Sequence, residues 1–216
     1  MALATPMPPS VVALVLAGGQ SRRMGTDKAL LVWDGDPLLS RVCRVALSCA
    51  DQVYVVTPWG DRYRSLLPST VQLWPESTSL DPDGSRPGPL VAISSVVNTL
   101  ATRPPDHQPQ WVLALACDMP HLAQTALPQW RYHLAQLSPS VLAYVPRPGH
   151  RWEPLCGFYR LACGASWQAY LATGQRSFQA WLNQLPPSAA AVIPDVDPNG
   201  LMNLNEPDDL AQAQKA

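Results

Sequence analysis

The 216-residue chain lacks the features of several functional classes. Its 15 basic and 16 acidic residues leave a formal net charge of −1, so it does not encode the broad basic surface that nucleic acid or an anionic membrane requires. No apolar run approaches the roughly 18 residues of a membrane span. The first ten residues hold Pro6, Pro8 and Pro9 but no lysine or arginine, which argues against a secretory leader. The five cysteines are odd in number and include no C-x-x-C pair. Neither a disulfide framework nor a zinc ribbon is therefore expected, and each thiol reads first as a buried, inert side chain. His107, His121, His133 and His150 show neither metal spacing nor a nucleophile partner, which sets histidine acid–base catalysis aside. Internal repeats and linkers are absent too. The expectation is one cytoplasmic domain with a small ligand and no nucleic-acid or membrane partner.

Lysine is also scarce: Lys28 and Lys215 are the only two. Lys28 lies in the most distinctive stretch, Val11–Leu31, VVALVLAGGQSRRMGTDKALL. Val11, Val12, Leu14, Val15 and Leu16 form a nearly continuous apolar segment, which suits a parallel strand covered on both faces. Gly18 and Gly19 then offer bare N–H groups, and glycine loops at the carboxyl end of a strand are where α/β sheets bind phosphates. Taken alone, Gly18-Gly19 is more often a tight turn. The balance shifts because a chain that otherwise favours arginine places a compact lysine charge here, beside Arg22 and Arg23. The spacing matches neither a Walker A loop nor the Rossmann G-x-G-x-x-G.

Residues 1–10 read as a flexible tail and 11–216 as a single domain. Helical spacing is predicted over Pro37–Ala50, Asp61–Leu67, Leu90–Leu100, Thr125–Gln136, Ala165–Ala172 and Phe178–Leu185. Strands are predicted at Gln52–Val56, Val71–Trp74, Trp111–Ala116, Val141–Val145, Pro154–Tyr159 and Ala189–Ile193. Such alternation predicts an α/β fold, a three-layer Rossmann-like arrangement with a mostly parallel sheet and its ligand crevice at the strands' carboxyl ends. Some antiparallel strands are expected near the C-terminus. The 24 prolines cluster in connections, and the loop Glu76–Pro89 is long enough to suggest a role at the site.

Asp118 follows an apolar strand and precedes Pro120, so its carboxylate would stand at the ligand edge of the sheet and could carry Mg²⁺; a turn cap is the alternative. Asn203 and Asn205 alternate in Met202-Asn203-Leu204-Asn205-Glu206-Pro207, which places both amides on one side of an extended segment, although turn caps remain open for each. Arg147, Arg151 and Arg176 fall in connections of the C-terminal half, where a second anionic substrate or plain solvent could meet them.

Residues Leu16 to Lys28, LAGGQSRRMGTDK, are similar to the LAGGxSxRMGxDK signature of the molybdenum cofactor guanylyltransferases, a family of nucleotidyltransferases. Gly88-Pro89-Leu90, Cys117-Asp118-Met119-Pro120, Glu153-Pro154-Leu155 and Asn203-Leu204-Asn205-Glu206-Pro207 resemble that family's later segments, in the same order. Ala92 replaces the second glycine usual in that family, or that glycine lies out of register here. The resemblance implies a nucleotide-diphospho-sugar transferase type of fold and transfer of GMP from Mg·GTP to molybdenum-molybdopterin, with Mn²⁺ able to replace Mg²⁺. It assigns catalysis to Lys28, Arg22, Arg23 and Asp118, with Asp118 on the metal. It sets the nucleotide against Leu16, Ala17, Gly18, Gly19, Lys28, Thr57, Glu76 and Asp118, with Asp81 and Asp83 competing for the place of Glu76. It sets the acceptor against Asn203, Asn205 and Arg151. Molybdenum-insertion and client molybdoenzyme proteins are the implied partners. A cytidylyltransferase of the same fold and a non-catalytic cofactor chaperone are the alternatives.

Overall fold

A computed structural model of the chain describes residues 8–19, 25–77, 86–122, 126–204 and 209. The tail's residues 1–7, Arg22, Arg23, Asp81, Asp83 and Asn205 lie outside them. The opening apolar run becomes β1, Val11–Leu16. A hairpin follows, β2 (Val32–Trp33) and β3 (Asp36–Pro37), which the sequence reading did not anticipate. Asp34 and Gly35 turn it with φ of 49° and 84°, the double left-handed conformation of a type I′ turn. Pro37, expected in the first turn of a helix, pairs instead with Val32, and α1 runs Leu38–Leu47.

The remaining elements alternate as expected, with ends shifted by a few residues. They are β4 (Gln52–Thr57), α2 (Gly60–Tyr63), β5 (Val71–Pro75), α3 (Pro89–Ala101), β6 (Trp111–Ala116), α4 (Ala126–His133), β7 (Ala143–Pro146), β8 (Cys156–Arg160), α5 (Cys163–Ala172), α6 (Phe178–Gln184) and β9 (Ala190–Ile193). The predicted Asp61–Leu67 and Thr125–Gln136 helices each finish in a 3-10 turn, Arg64–Leu66 and Leu134–Gln136.

Seven strands form one sheet in the order β5-β4-β1-β6-β8-β7-β9. β8 runs antiparallel to both neighbours, and the other pairings are parallel. Both faces are buried, which explains why β1 reads as an unbroken apolar run rather than an alternating one. Val11, Ala13 and Val15 pack with Leu39, Val42 and Cys43 of α1 and with Leu127 and Trp130 of α4. Val12 and Leu14 pack with Leu90, Ile93 and Val97 of α3 and with an aromatic group, Tyr159, Trp167, Phe178 and Trp181. Each fully buried side chain of this size contributes roughly 1.5–3 kcal/mol by leaving water. Ala92 joins this second layer, so the departure from the family's glycine is absorbed by packing. Burial pushes the Cys43, Cys49 and Cys163 thiols up to about 12, the inert role expected of them.

Parallel strands deliver their carboxyl ends to one edge, which collects the loops after β1, β4, β5 and β6. Because β8 is reversed, the segment entering it reaches the same edge: Cys156 pairs with Leu115, and the Ala116 N–H donates to the Leu155 carbonyl at 2.9 Å. No helix among the described residues is long and apolar enough to cross a membrane.

Candidate active site

The glycine loop is held from below by β4. Thr57 is 1% exposed; its hydroxyl donates to the Ala17 carbonyl at 2.9 Å and accepts the Trp59 N–H at 3.1 Å. Expected at the nucleotide, Thr57 is in this geometry a buried brace that fixes Ala17 and the start of the loop. Its own carbonyl accepts the Glu76 N–H at 3.0 Å, which draws the end of β5 toward β1. A side chain at Gly18 would fall on the Glu76 carboxylate. Gly18 therefore leaves the space into which Glu76 leans, a second reason for glycine beside the bare N–H. Burial raises the Glu76 pKa above the usual carboxylate value, against the opposing charge of Arg86.

At the far end of the loop Asp27 is a hub. One carboxylate oxygen accepts the Ala29 N–H at 3.1 Å, capping the 3-10 turn Lys28–Leu30. The other accepts from Arg62 Nη1 and the Tyr63 hydroxyl, both at 2.8 Å. Tyr63 is fully buried, and burial with its Asp27 bond pushes its pKa upward. Asp27 thus fixes the backbone from which Lys28 projects, a role that no periodicity in the sequence announced.

Lys28 Nζ lies 3.0 Å from Asp118 Oδ2, with each side chain only 16% exposed. The two residues are 90 apart in the chain; adjacency of β1 and β6 brings them together, with Leu16 beside Ala116 and the Cys117 N–H donating to the Leu16 carbonyl at 3.3 Å. The expected grouping of loop lysine and strand-end aspartate is thus observed. Burial, with the nearby Asp118 and Asp27 carboxylates, drives the Cys117 thiol upward, so it is not a thiolate nucleophile.

The C-terminal segment closes on the same point. The Leu204 N–H donates to the Asp118 carbonyl at 3.0 Å, and the Leu204 side chain is buried with Trp33 and Leu38. The unanticipated hairpin thus supplies the seat for this segment. Asn203 is brought alongside Asp118 through its neighbour Leu204, and its amide donates to the Leu201 carbonyl at 3.4 Å.

On the other flank, Trp152 anchors the loop before β8. Its indole N–H donates to Asn183 Oδ1 at 2.9 Å, its backbone N–H donates to Gln179 Oε1 at 3.2 Å, and Gln179 Nε2 returns a short bond to its carbonyl. Arg147 stacks on its ring at 4.6 Å. Arg151 remains exposed on this loop beside Glu153, whose pKa burial raises while Arg151 opposes. Arg176 differs: its guanidinium donates to the Leu171 and Gln175 carbonyls, both at 2.9 Å, and so caps the end of α5.

Among the described residues no group of three or more His, Cys, Asp or Glu side chains is placed to hold a metal ion. Asp118 offers one hard carboxylate oxygen at a glycine loop. That donor set fits a Mg²⁺-like ion completed by substrate phosphate oxygens and water, and not a protein-built cage.

Residues 13–189 match the MobA-like NTP transferase domain. A probable molybdenum cofactor guanylyltransferase from Trichormus variabilis is 40% identical over 205 residues, which span 95% of this chain and 91% of that protein. Another from Synechococcus elongatus is 42% identical over 202 residues, 94% of this chain and 97% of that one. The crystal structure of molybdopterin-guanine dinucleotide biosynthesis protein A from Archaeoglobus fulgidus aligns with a TM-score of 0.69 at 20% identity, covering 94% of this chain and 97% of that one. A 4-diphosphocytidyl-2C-methyl-D-erythritol synthase from Anaerococcus prevotii aligns with a TM-score of 0.65 at 11% identity, covering 96% of each chain. The fold therefore does not by itself choose the base. The family match and the long, closely related sequences do decide the class: this chain is a nucleotidyltransferase of the MobA-like NTP transferase family, in the group of the molybdenum cofactor guanylyltransferases.

Proposed function

We propose that the protein transfers GMP from GTP to the terminal phosphate of molybdenum-molybdopterin, releasing pyrophosphate and forming the guanine dinucleotide cofactor. The observation that carries this reading is the Lys28–Asp118 pair at 3.0 Å beside the Gly18-Gly19 loop. The acceptor phosphate oxygen forms a bond to the α-phosphorus, and the bond from that phosphorus to the bridging oxygen of pyrophosphate breaks. A phosphate acceptor is already ionised at neutral pH, so no general base is needed. Alignment and charge neutralisation carry such a transfer. Loop N–H groups and Lys28 hold the triphosphate; Asp118 would hold a divalent cation, Mg²⁺ or Mn²⁺, which would supply charge neutralisation at the phosphates. Arg22 and Arg23 belong to the same loop and add positive charge. Asn203, beside Asp118 through Leu204, and Arg151, exposed on the loop before β8, are the groups assigned to the acceptor, together with Asn205.

The test is pyrophosphate release with each of GTP, CTP and ATP, using molybdenum-loaded molybdopterin as acceptor and Mg²⁺ as metal. Release with GTP at least tenfold above the other nucleotides is expected. Equal release with CTP would overturn the guanylyl assignment, and binding of finished cofactor with no release from any nucleotide would mark a carrier instead.

A further inference from the structure

Among the described residues three buried N–H donors lack a partner, on Arg86, Arg131 and Trp167, and of these Arg86 lies in the loop that follows Glu76. Arg86, three residues ahead of α3, lays its guanidinium 4.9 Å over the Trp59 ring. Its Nε–H is buried and has no hydrogen-bond partner among the described residues. A buried N–H without an acceptor is a costly arrangement that native sites keep for a reason. Trp59 is itself fixed: its backbone N–H is held by Thr57, and a second guanidinium, Arg62, lies 5.3 Å from its ring while bound to Asp27. The plane of Arg86 is thereby set by a rigid platform.

The position of this donor along the sheet edge says what it can meet. Lys28, from the 3-10 turn after the glycine loop, meets Asp118 just past the end of β6, whereas Glu76 and Trp59 follow β5 and β4. Three strand spacings separate β6 from β5, roughly 14 Å, the order of the span of an extended nucleoside triphosphate from its terminal phosphates to its base. With the triphosphate on Lys28, the base falls toward Glu76 and Arg86. These two present opposite hydrogen-bonding characters: Glu76 leans into the space beside Gly18 as an acceptor, and Arg86 offers only donors. Guanine is their complement, with N1–H and N2–H₂ donating along one edge and O6 and N7 accepting along the next, the pair that an arginine fork matches. Adenine reverses the pattern at positions 1 and 6, and cytosine has no purine N7.

We propose that Arg86, held flat on Trp59, reads the O6/N7 edge of guanine while Glu76 takes its N1–H and N2–H₂. The inference rests on the guanylyl-transfer reading of the same site and adds to it the residue that selects the base. Arg86 sits in a long, proline-rich connection, where neither periodicity nor motif distinguished it from a solvated charge.

The experiment is calorimetric binding to the full-length protein, in Mg²⁺, of GTP, 7-deaza-GTP (no N7 acceptor), ITP (no 2-amino group) and CTP. Wild type should bind 7-deaza-GTP and ITP each on the order of tenfold more weakly than GTP, the discrimination of one good base contact. Arg86→Gln should bind GTP and 7-deaza-GTP alike yet still disfavour ITP, and Arg86→Lys, which keeps charge but not the fork, should do the same. Glu76→Gln should lose the ITP penalty and keep the 7-deaza one. If Arg86→Gln weakens all four nucleotides by one factor, Arg86 meets phosphate or ribose and the proposal falls. Wild-type indifference to the N7 atom overturns it without any variant. A wild type that prefers CTP to GTP would instead sink the guanylyl reading itself.

Discussion

Lys28→Ala, Asp118→Asn and the double variant form a cycle whose outcome follows from the ion pair at the site. At 3.0 Å and 16% exposure, the gross attraction is about 5 kcal/mol for an effective dielectric near 20. Desolvation of both ions offsets most of it, and what a single substitution costs is the group left behind without its counter-charge, about 1–3 kcal/mol. For a chain of this length each kcal/mol moves the melting midpoint by about 2–4 °C. Each single variant should therefore melt a few degrees low, and the double variant should melt no lower than the worse single, because it leaves neither charge uncompensated. Turnover behaves differently. Losing one group that stabilises developing charge costs on the order of 10²–10³ in kcat. Two groups that act as one unit on the same triphosphate give a double loss close to the larger single loss. The assays are thermal melts and pyrophosphate release from GTP with acceptor, read beside equilibrium binding of the finished dinucleotide, which should change far less. Strictly additive losses in both melting and kcat would refute the coupled-pair reasoning, as would an Asp118→Asn enzyme keeping a tenth of wild-type turnover.

Gly18→Ala should melt within about 2 °C of wild type, since the nearest atoms to its new methyl are those of the movable Glu76 carboxylate. By displacing that carboxylate it should erase the preference for GTP over ITP in calorimetry, and an unchanged preference would contradict the placement of Glu76. Burial raises the Glu76 pKa, so the native state binds this proton more tightly than the unfolded chain does. The stability this contributes is present below the ordinary carboxylate value and is lost as pH rises through the raised one. Glu76→Gln should accordingly raise the melting midpoint near pH 7 and leave it unchanged near pH 4, and melts across that range showing the opposite trend would refute the sign. Gly157→Ala puts a methyl 2.8 Å from Val145 Cγ2 between two buried strands, an overpacking cost of about 1–3 kcal/mol. Adding Val145→Ala should recover part of it in denaturant titration, and no recovery would place the strain elsewhere.

Much of the β1 to β6 half of the fold was legible because its signals are local. An apolar run ending in glycines, a lysine in a chain that avoids lysine, and an aspartate closing a second apolar run each indicate a strand end. Only the sheet order was needed to join Lys28 to Asp118. The hairpin at Val32–Pro37 was missed because two-residue strands carry no periodicity; the Asp34-Gly35 pair was its available signal. Asp27, Trp59 and Arg86 were illegible for another reason. Their roles exist only through partners brought from other loops, Tyr63 and Arg62 for the first and each other for the last two. Thr57 and Arg176 show the converse: both are suitable polar groups, and the structure engages each with nearby backbone.

The reversal of β8 also divides the labour of the chain. In the β1 to β6 half, the ligand edge is reached by segments leaving their strands, each continuing toward a helix that the core must seat, so their lengths are constrained. The segment 147–155 joins the carboxyl end of β7 to the start of β8 at that edge, held by Trp152 to Gln179 and Asn183 of α6 and by the Leu155 carbonyl to the Ala116 N–H. Residues ahead of Leu155 hang on α6 and not on the glycine loop or Asp118, so they can exchange with the least effect there. If this segment meets the acceptor, as proposed above, grafting it between relatives is the natural route to altered acceptors.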